Sequence, residues 1–236
     1  MGWPIKQIAL PISLDRQFSF DNFICGQAEL IVANLKSLVL GEGESQVGLW
    51  GGSGSGKTHL LNASADFARK HGVVLQIYDA AQLLQCDPGE FDGYDRCDVL
   101  AVDNLDAIAG NPGWETFFYR VVNRCRDGDY RFIFAMTDRP EDLQTCLDDF
   151  RSRLQWGLLL QLPGSGDKEI REILRRRAGL LGFELSDEVI AYLMTHYARN
   201  LASQMSILQR LDGISLSQQR RVTIPLVKQA LLDRPE

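Results

Sequence analysis

Lys57 and Thr58 close the run Leu49-Trp50-Gly51-Gly52-Ser53-Gly54-Ser55-Gly56-Lys57-Thr58-His59-Leu60, which contains a complete G-x-x-x-x-G-K-T pattern from Gly51 to Thr58. Each residue type has a task in holding phosphate. Glycines let the backbone take positive φ and bring its N–H groups close to an anion. A helix starting there aims its positive dipole end at the same anion. Lys57 is then placed to neutralise β/γ-phosphate charge and the Thr58 hydroxyl to ligate Mg²⁺. The expected contacts are Gly51, Gly52, Ser53, Gly54, Ser55, Gly56, Lys57, Thr58 and the adjoining His59. A Gly/Ser-rich linker could match the same pattern, but a linker does not sit between a buried strand and a helix. The stretch reads as a nucleotide-binding loop.

A second phosphate-side residue lies downstream. Val99-Leu100-Ala101-Val102 ends in Asp103, and a carboxylate at the end of such a strand reaches the Mg²⁺ shell and orients water and metal. The alternative is a capping Asp. The following residue is Asn104, where hydrolysing enzymes of this type commonly carry a second acid. An amide cannot serve as general base, so weak or no intrinsic ATPase activity is expected, with nucleotide serving as a structural ligand.

The elements that must position these residues follow an alternating pattern. Val47–Trp50, Val73–Tyr78, Asp98–Asn104, Arg131–Asp138 and Leu158–Leu162 read as strands. Helices are expected at about Ala28–Leu40, Thr58–Lys70 and Trp114–Arg126. Strands alternating with helices predict an α/β parallel sheet flanked by helices on both faces. After Pro163-Gly164-Ser165-Gly166 only helices are expected, at about 167–181, 186–198, 200–212 and 224–232, with Ser186 as an N-cap.

Composition bounds the reading. The 236 residues are 45% hydrophobic and 24% charged, enough to build a proper core in one or two domains. A net charge of −6 does not advertise a nucleic-acid surface. The five cysteines are scattered without a C-x-x-C pair, which argues against a disulfide framework or a zinc site and for a cytoplasmic protein. His59, His71 and His196 lack metal-ligand spacing and read as structural or surface residues. No apolar run approaches a membrane span.

Phe20-Asp21-Asn22-Phe23-Ile24-Cys25-Gly26, the Gly51–Leu61 loop and helix, Val102-Asp103-Asn104, Thr137-Asp138-Arg139-Pro140, Arg151-Ser152-Arg153-Leu154-Gln155-Trp156-Gly157 and Thr223-Ile224-Pro225 occur in that order. Together they resemble the AAA+ module of the bacterial replication initiator DnaA and, more closely, the shorter Hda family of regulatory inactivators of that initiator. The likeness covers nearly the whole chain. It implies an AAA+ P-loop domain at 17–164, a small helical lid domain at 165–236 and an extended arm at 1–16. It further implies that Phe23, Ile24, Cys25 and Gly26 line an adenine pocket and that Asp138 is a sensor at the γ-phosphate; a turn-forming Asp before Arg-Pro is the alternative.

By the same resemblance, Arg153 is an arginine finger that reaches nucleotide held by a neighbouring subunit, where a guanidinium stabilises transferring phosphoryl charge. The alternative pairs Arg153 with Asp148 or Asp149 on the surface. The lid arginine that touches nucleotide in this family falls on Ala202; Arg199, three residues earlier, is the candidate substitute. The N-terminal Gln7-Ile8-Ala9-Leu10-Pro11-Ile12 is similar to the peptide with which bacterial proteins bind the DNA sliding clamp (β subunit). Gln7 would supply amide hydrogen bonds, Leu10 and Ile12 would fill an apolar pocket, and Pro11 would restrict the free peptide. Packing of the arm onto its own core is the other reading.

The chain ends just beyond the last lid helix, so no separate DNA-reading domain is expected. The expected cofactors are ADP or ATP with Mg²⁺. The expected partners are the sliding clamp and the initiator DnaA, with DNA reached only through the clamp, no membrane, and self-association left open. The resulting expectation is an adaptor that docks on the DNA-loaded clamp and stimulates ATP hydrolysis on the initiator. Two rivals stand beside it: an autonomous AAA+ ATPase that loads helicase or remodels a replication protein, and an initiator-like binding module that nucleates mixed AAA+ filaments on origin DNA without promoting hydrolysis.

Overall fold

The computed structural model describes residues 18–24, 28–91, 96–128, 130–198, 201–218 and 222–232. The arm at 1–16, with Gln7, Leu10, Pro11 and Ile12, lies outside the described residues, as do Cys25, Gly26 and Arg199.

Five strands, β1 (Gln46–Trp50), β2 (Leu75–Asp79), β3 (Val99–Asp103), β4 (Arg131–Met136) and β5 (Leu158–Gln161), form one sheet in the order β2-β3-β4-β1-β5. All four pairings are parallel, with Val47 opposite Ile133 and Leu158, and Ala101 opposite Ile77 and Ile133. The expected parallel sheet is present. Side-chain alternation divides its residues between two cores. Leu100, Val102, Phe132 and Phe134 face α4 (Pro112–Arg126) through Trp114, Phe118 and Val121. Val99, Ala101, Ile133 and Ala135 face α1 (Ala28–Leu40) and α2 (Lys57–Lys70) through Ile31, Leu35, Leu60 and Leu61. A strand apolar at every position is what burial on both faces requires.

The short helix α3 (Ala80–Leu83) follows β2, capped by the Asp79 carboxylate, which accepts from Ala81 N. Pro112 sits in the first turn of α4 and the Asn111 side chain caps that helix by accepting from Trp114 N. The helix α5 (Asp148–Leu154), which carries Arg151 and Arg153, was not expected from the sequence. It inserts Phe150 and Leu154 into the α4 core.

The helical part comprises α6 (Asp167–Leu180), α7 (Asp187–His196), α8 (Leu201–Gln218) and α9 (Ile224–Leu232). Ser186 caps α7, its hydroxyl accepting from Val189 N at 3.3 Å, as expected. This part has its own core, in which Leu174, Ile190, Leu193, Leu208 and Val227 are fully buried. The buried Gln204 amide donates to Leu193 O and Ala198 O, so α8 terminates α7 with hydrogen bonds. Among the described residues no helix is long and apolar enough to cross a membrane, and the four described cysteines form no disulfide.

Candidate nucleotide-binding site

The phosphate loop joins the C-terminal end of β1 to α2. Gly51 N donates to Met136 O at 3.2 Å, which pins the loop's first residue to the neighbouring strand. A Cβ on Gly51 would lie 2.3 Å from Leu162 O. At the other end Gly56 adopts φ +98°, and a Cβ there would meet the Phe23 ring at 2.8 Å. Gly56 is also the N-cap of α2 and offers no side chain, so the first-turn N–H groups of α2 have no side-chain cap. Such a helix start is suited to an anion. The Ser55 hydroxyl is buried with no partner among the described residues.

Lys57, 8% exposed, donates from Nζ to Gly51 O and to Gly52 O at 3.0 Å. Burial pulls its ammonium below the ordinary lysine value, while Asp103 and Asp106 pull the other way. Thr58 Oγ1 donates to Asp103 Oδ2 at 2.5 Å. Burial raises the Asp103 carboxyl, opposed by the hydrogen bonds from Thr58 and from Asn104 N. The two residues expected to share a metal ion are therefore adjacent. Among the described residues no group of three His, Cys, Asp or Glu could hold a metal unaided. A magnesium site here would need phosphate oxygens to complete it.

Asn104 is held at φ 53°, a left-handed conformation that Asn tolerates. Its amide donates to Asp79 Oδ1 at 3.3 Å. Asp106 accepts from Thr137 N through Oδ2 at 3.4 Å, while its Oδ1 is buried without a partner among the described residues. Asp138 is exposed and does not line the cavity beside the loop; Thr137, one residue earlier, does.

That cavity holds about 470 Å³ and runs from the phosphate loop to the lid. Ser53 to His59, Asn104 and Thr137 form its polar floor. Phe18, Phe23, Ile24, Leu180, Leu201 and Met205 make an apolar end. The His59 ring lies 5.5 Å from Phe18 and 5.8 Å from Phe23, and a ring nitrogen is 2.9 Å from Ser19 O. Burial lowers the pKa of the His59 imidazole, opposed by the contact with Ser19 O, and the nearby Arg177 adds to the lowering. Phe23, Ile24 and His59 thus share the cavity with the loop. The sequence reading missed Arg176 and Arg177 of α6, which also line it.

Arg153 lies elsewhere. Gln46, the first residue of β1, donates to Arg153 O at 3.3 Å and to Leu154 O at 3.1 Å. The phosphate loop starts at the opposite end of that five-residue strand, about 16 Å away at the usual rise per residue. The Arg153 guanidinium stacks 3.5 Å from the Trp156 ring centroid, and Arg126 lies over the same ring at 4.6 Å. It also hydrogen-bonds the Tyr119 hydroxyl, which lowers that phenol's pKa. The surface pairing with Asp148 belongs instead to Arg151, at 2.7 Å.

Two families match parts of the chain: the one described as "Bacterial DnaA ATPase domain" over residues 89–161, and the one described as "Hda, lid domain" over residues 167–231. The chain thus has an AAA+ fold, with a segment that matches the DnaA ATPase-domain family followed by a lid that matches the Hda type. Solved structures agree in fold. Domain III of the replication initiation protein DnaA from Thermotoga maritima superposes with a TM-score of 0.79 at 19% identity, covering 93% of this chain and 97% of that one. AMPPCP-bound DnaA from Aquifex aeolicus superposes at 0.70 with 23% identity, over 88% of this chain and 69% of that one. The Holliday junction branch migration motor RuvB from Thermotoga maritima reaches 0.67 at 21% identity, over 91% and 71%. Arg176 and Arg177 of α6 line the cavity, while Arg199, the lid cation to which the resemblance points, lies outside the described residues.

Proposed function

We propose that this DnaA-related protein is a nucleotide-bound adaptor that docks on the DNA-loaded sliding clamp and stimulates ATP hydrolysis on the initiator DnaA, inactivating it. The observation that carries the reading is the separation of two cations. Lys57 is turned into the chain's own phosphate loop, whereas Arg153 lies at the far end of β1 with no carboxylate partner among the described residues. A guanidinium so placed cannot serve its own loop and is available to a neighbour's nucleotide.

In this reading Gly51 to His59 hold ADP or ATP, with Phe23 and Ile24 at the base, and Thr58 and Asp103 hold Mg²⁺. The loop N–H groups and Lys57 neutralise phosphate charge. Mg²⁺, when bound, supplies further neutralisation at the phosphate oxygens. The Ser55 hydroxyl and the glycine cradle fit such a ligand. Asn104 keeps intrinsic hydrolysis slow. Asp138 remains the proposed γ-phosphate sensor, with Thr137 nearer to the cavity. Arg199 remains the proposed substitute for the lid arginine missing at Ala202. Gln7, Leu10, Pro11 and Ile12 form the clamp-docking peptide, and the protein works in the cytoplasm.

One observation favours the rival reading of an autonomous ATPase. Asp106 has an unpartnered carboxylate oxygen close enough to raise the Lys57 pKa, and it could orient water in place of the acid lacking at Asn104. Following labelled ATP on purified DnaA with and without this protein, clamp and DNA separates the two. The adaptor reading expects loss of ATP from DnaA only in the complete mixture. Brisk turnover by this protein alone establishes the rival.

A further inference from the structure

A groove of about 480 Å³ opens at the N-terminal end of β1, the end that holds the Arg153 backbone. Val122, Cys125 and Trp156 contribute its apolar lining, Gln46 its buried polar lining, and Arg126 and Glu44 its charges. Burial pushes the Cys125 thiol up to about 12, so it stays protonated and serves as lining, not as a nucleophile. Gly157 completes the lining where a Cβ would lie 2.5 Å from Gln46 O, so two backbone segments close up there.

Arg126 and Glu44 are both exposed, and among the described residues neither forms an ion pair, with the other or elsewhere. Opposite charges that share a groove without pairing are available to the complementary charges of a partner. Trp156 beside them is 48% exposed, and Trp and Arg are the residue types that dominate binding energy when an interface covers them. The groove is also wired to Arg153. Arg126 lies 4.6 Å over the same indole ring on which Arg153 stacks at 3.5 Å. Gln46, 4% exposed, donates its amide to Arg153 O and Leu154 O. A partner seated in the groove therefore meets both supports of Arg153: the ring under its guanidinium and the amide that holds its backbone. A nucleic-acid strand suits the groove less well. Guanidinium groups already lie over the ring on which a base would stack, and Glu44 would repel the phosphates.

We propose that this groove seats a protein segment of the AAA+ partner whose nucleotide Arg153 reaches, with an acidic side chain against Arg126, a basic one against Glu44 and an apolar one on Trp156. The inference rests on the adaptor reading and divides its work: the groove sets affinity and register, and Arg153 acts on the nucleotide. Charges at the edge of an interface steer and select. Their loss should change how much protein is needed and leave the rate at saturation alone.

The test titrates the full-length protein, with clamp and DNA present, into DnaA carrying labelled ATP, and reads hydrolysis against concentration. Arg126→Glu should raise the concentration for half-maximal stimulation about tenfold at low salt, the effect of one new like-charge contact, and less as salt rises. The saturating rate should stay within about twofold of the parent. Glu44→Lys should act in the same direction, and Arg126→Gln should give a smaller rise of about threefold. Arg153→Ala, by contrast, should lower the saturating rate. Arg69→Glu makes the same charge change at an exposed position of α2 and should match the parent. If Arg126→Glu unfolds, Arg126→Gln and Glu44→Lys carry the same comparison.

Unmoved half-maximal concentrations in Arg126→Glu and Glu44→Lys, beside a parent that stimulates, overturn the groove assignment and leave the adaptor reading standing. A fall in the saturating rate at an unchanged half-maximal concentration overturns it too, because that places Arg126 with the nucleotide. Sedimentation of the parent and Arg126→Glu adds one more outcome: self-association lost in the variant while stimulation is unchanged would give the groove to a second copy of this chain. A parent that gives no stimulation in the complete mixture removes the adaptor reading and the inference with it.

Discussion

The two ends of β1 show two ways of keeping a cation ready. At the C-terminal end, Lys57 is folded back onto the carbonyls of its own loop, and the surroundings that hold it are mostly backbone. At the N-terminal end, Arg153 lies on the Trp156 ring with its Nε buried and unpartnered among the described residues, and the surroundings are side chains of α4 and α5. A backbone cradle holds its ligand inside the chain. A guanidinium stacked on a half-exposed indole and hydrogen-bonded to the Tyr119 hydroxyl is held in register by side chains. The comparison predicts that the two ends can be damaged independently.

The largest expected effect belongs to the outer end. On the adaptor reading, Arg153→Ala should reduce stimulation of hydrolysis on the initiator about 10³-fold or more, the range for removal of an arginine finger, while ADP affinity of the protein itself stays at the parent value. Labelled ATP retained on DnaA and a parallel ADP titration give both numbers. Loss of ADP affinity in this variant would collapse the distinction between the ends. Next in size, Lys57→Ala should weaken ADP about a hundredfold, the upper range for a charged hydrogen-bond partner, without moving the fold as judged by circular dichroism.

Between these ends lies Glu115, wholly buried, whose carboxylate accepts from Gly110 N at 2.7 Å, Cys146 N at 3.0 Å and Leu147 N at 2.7 Å. It ties the start of α4 to the turn that launches α5, and hence sets where Arg153 emerges. Glu115→Ala leaves these N–H groups without partners and should cost about 2 kcal/mol of stability in urea unfolding. Stimulation should fall in that variant before ADP affinity does, since the phosphate loop shares none of these bonds.

How much of this was legible in the sequence follows the same division. The phosphate loop could be read because its function requires glycines where a Cβ would strike Leu162 O or the Phe23 ring, and those demands leave a pattern in residue type. The sheet was legible because strands buried on both faces are apolar throughout. The α5 helix was not: seven residues give too little periodicity, although Phe150 and Leu154 at i and i+4 were the available hint. Arg176 and Arg177 were hidden for another reason. In an amphipathic helix Arg175-Arg176-Arg177 reads as a solvated face, and only the packing of α6 over the loop decides which of the three meets the cavity. Asp138 and Thr137 differ by one residue at a strand end, where the pleat sends neighbours to opposite sides and sequence position alone cannot choose.

A smaller effect tests how Arg153 is held. Trp156→Ala removes the ring beneath the guanidinium, and Tyr119→Phe removes a hydrogen-bond partner. The first should reduce stimulation about fivefold, matching roughly 1 kcal/mol for a partly exposed cation–π contact, and Trp156→Phe should restore most of it. ADP titration should register neither change.

The smallest effect concerns charges whose partners lie within the fold. Arg175 and Asp187 join α6 to the start of α7, and the hydrogen bond from Arg175 holds the Asp187 carboxyl below the ordinary aspartate value. A carboxylate depressed in the folded state contributes stability above its unfolded pKa and loses that contribution as pH falls through the folded one. The pair is exposed, so solvent screens it and the loss is slight. Acid titration of Asp187 by NMR, below about pH 4, should therefore show a depressed midpoint in the parent and an ordinary aspartate midpoint in Arg175→Gln. The parent midpoint should be the same with and without ADP, because this arginine's partner is supplied by its own chain. A midpoint that moves when ADP binds would mean that Arg175 also turns toward the cavity, and the charges of α6 would then have to be reassigned between ligand and fold.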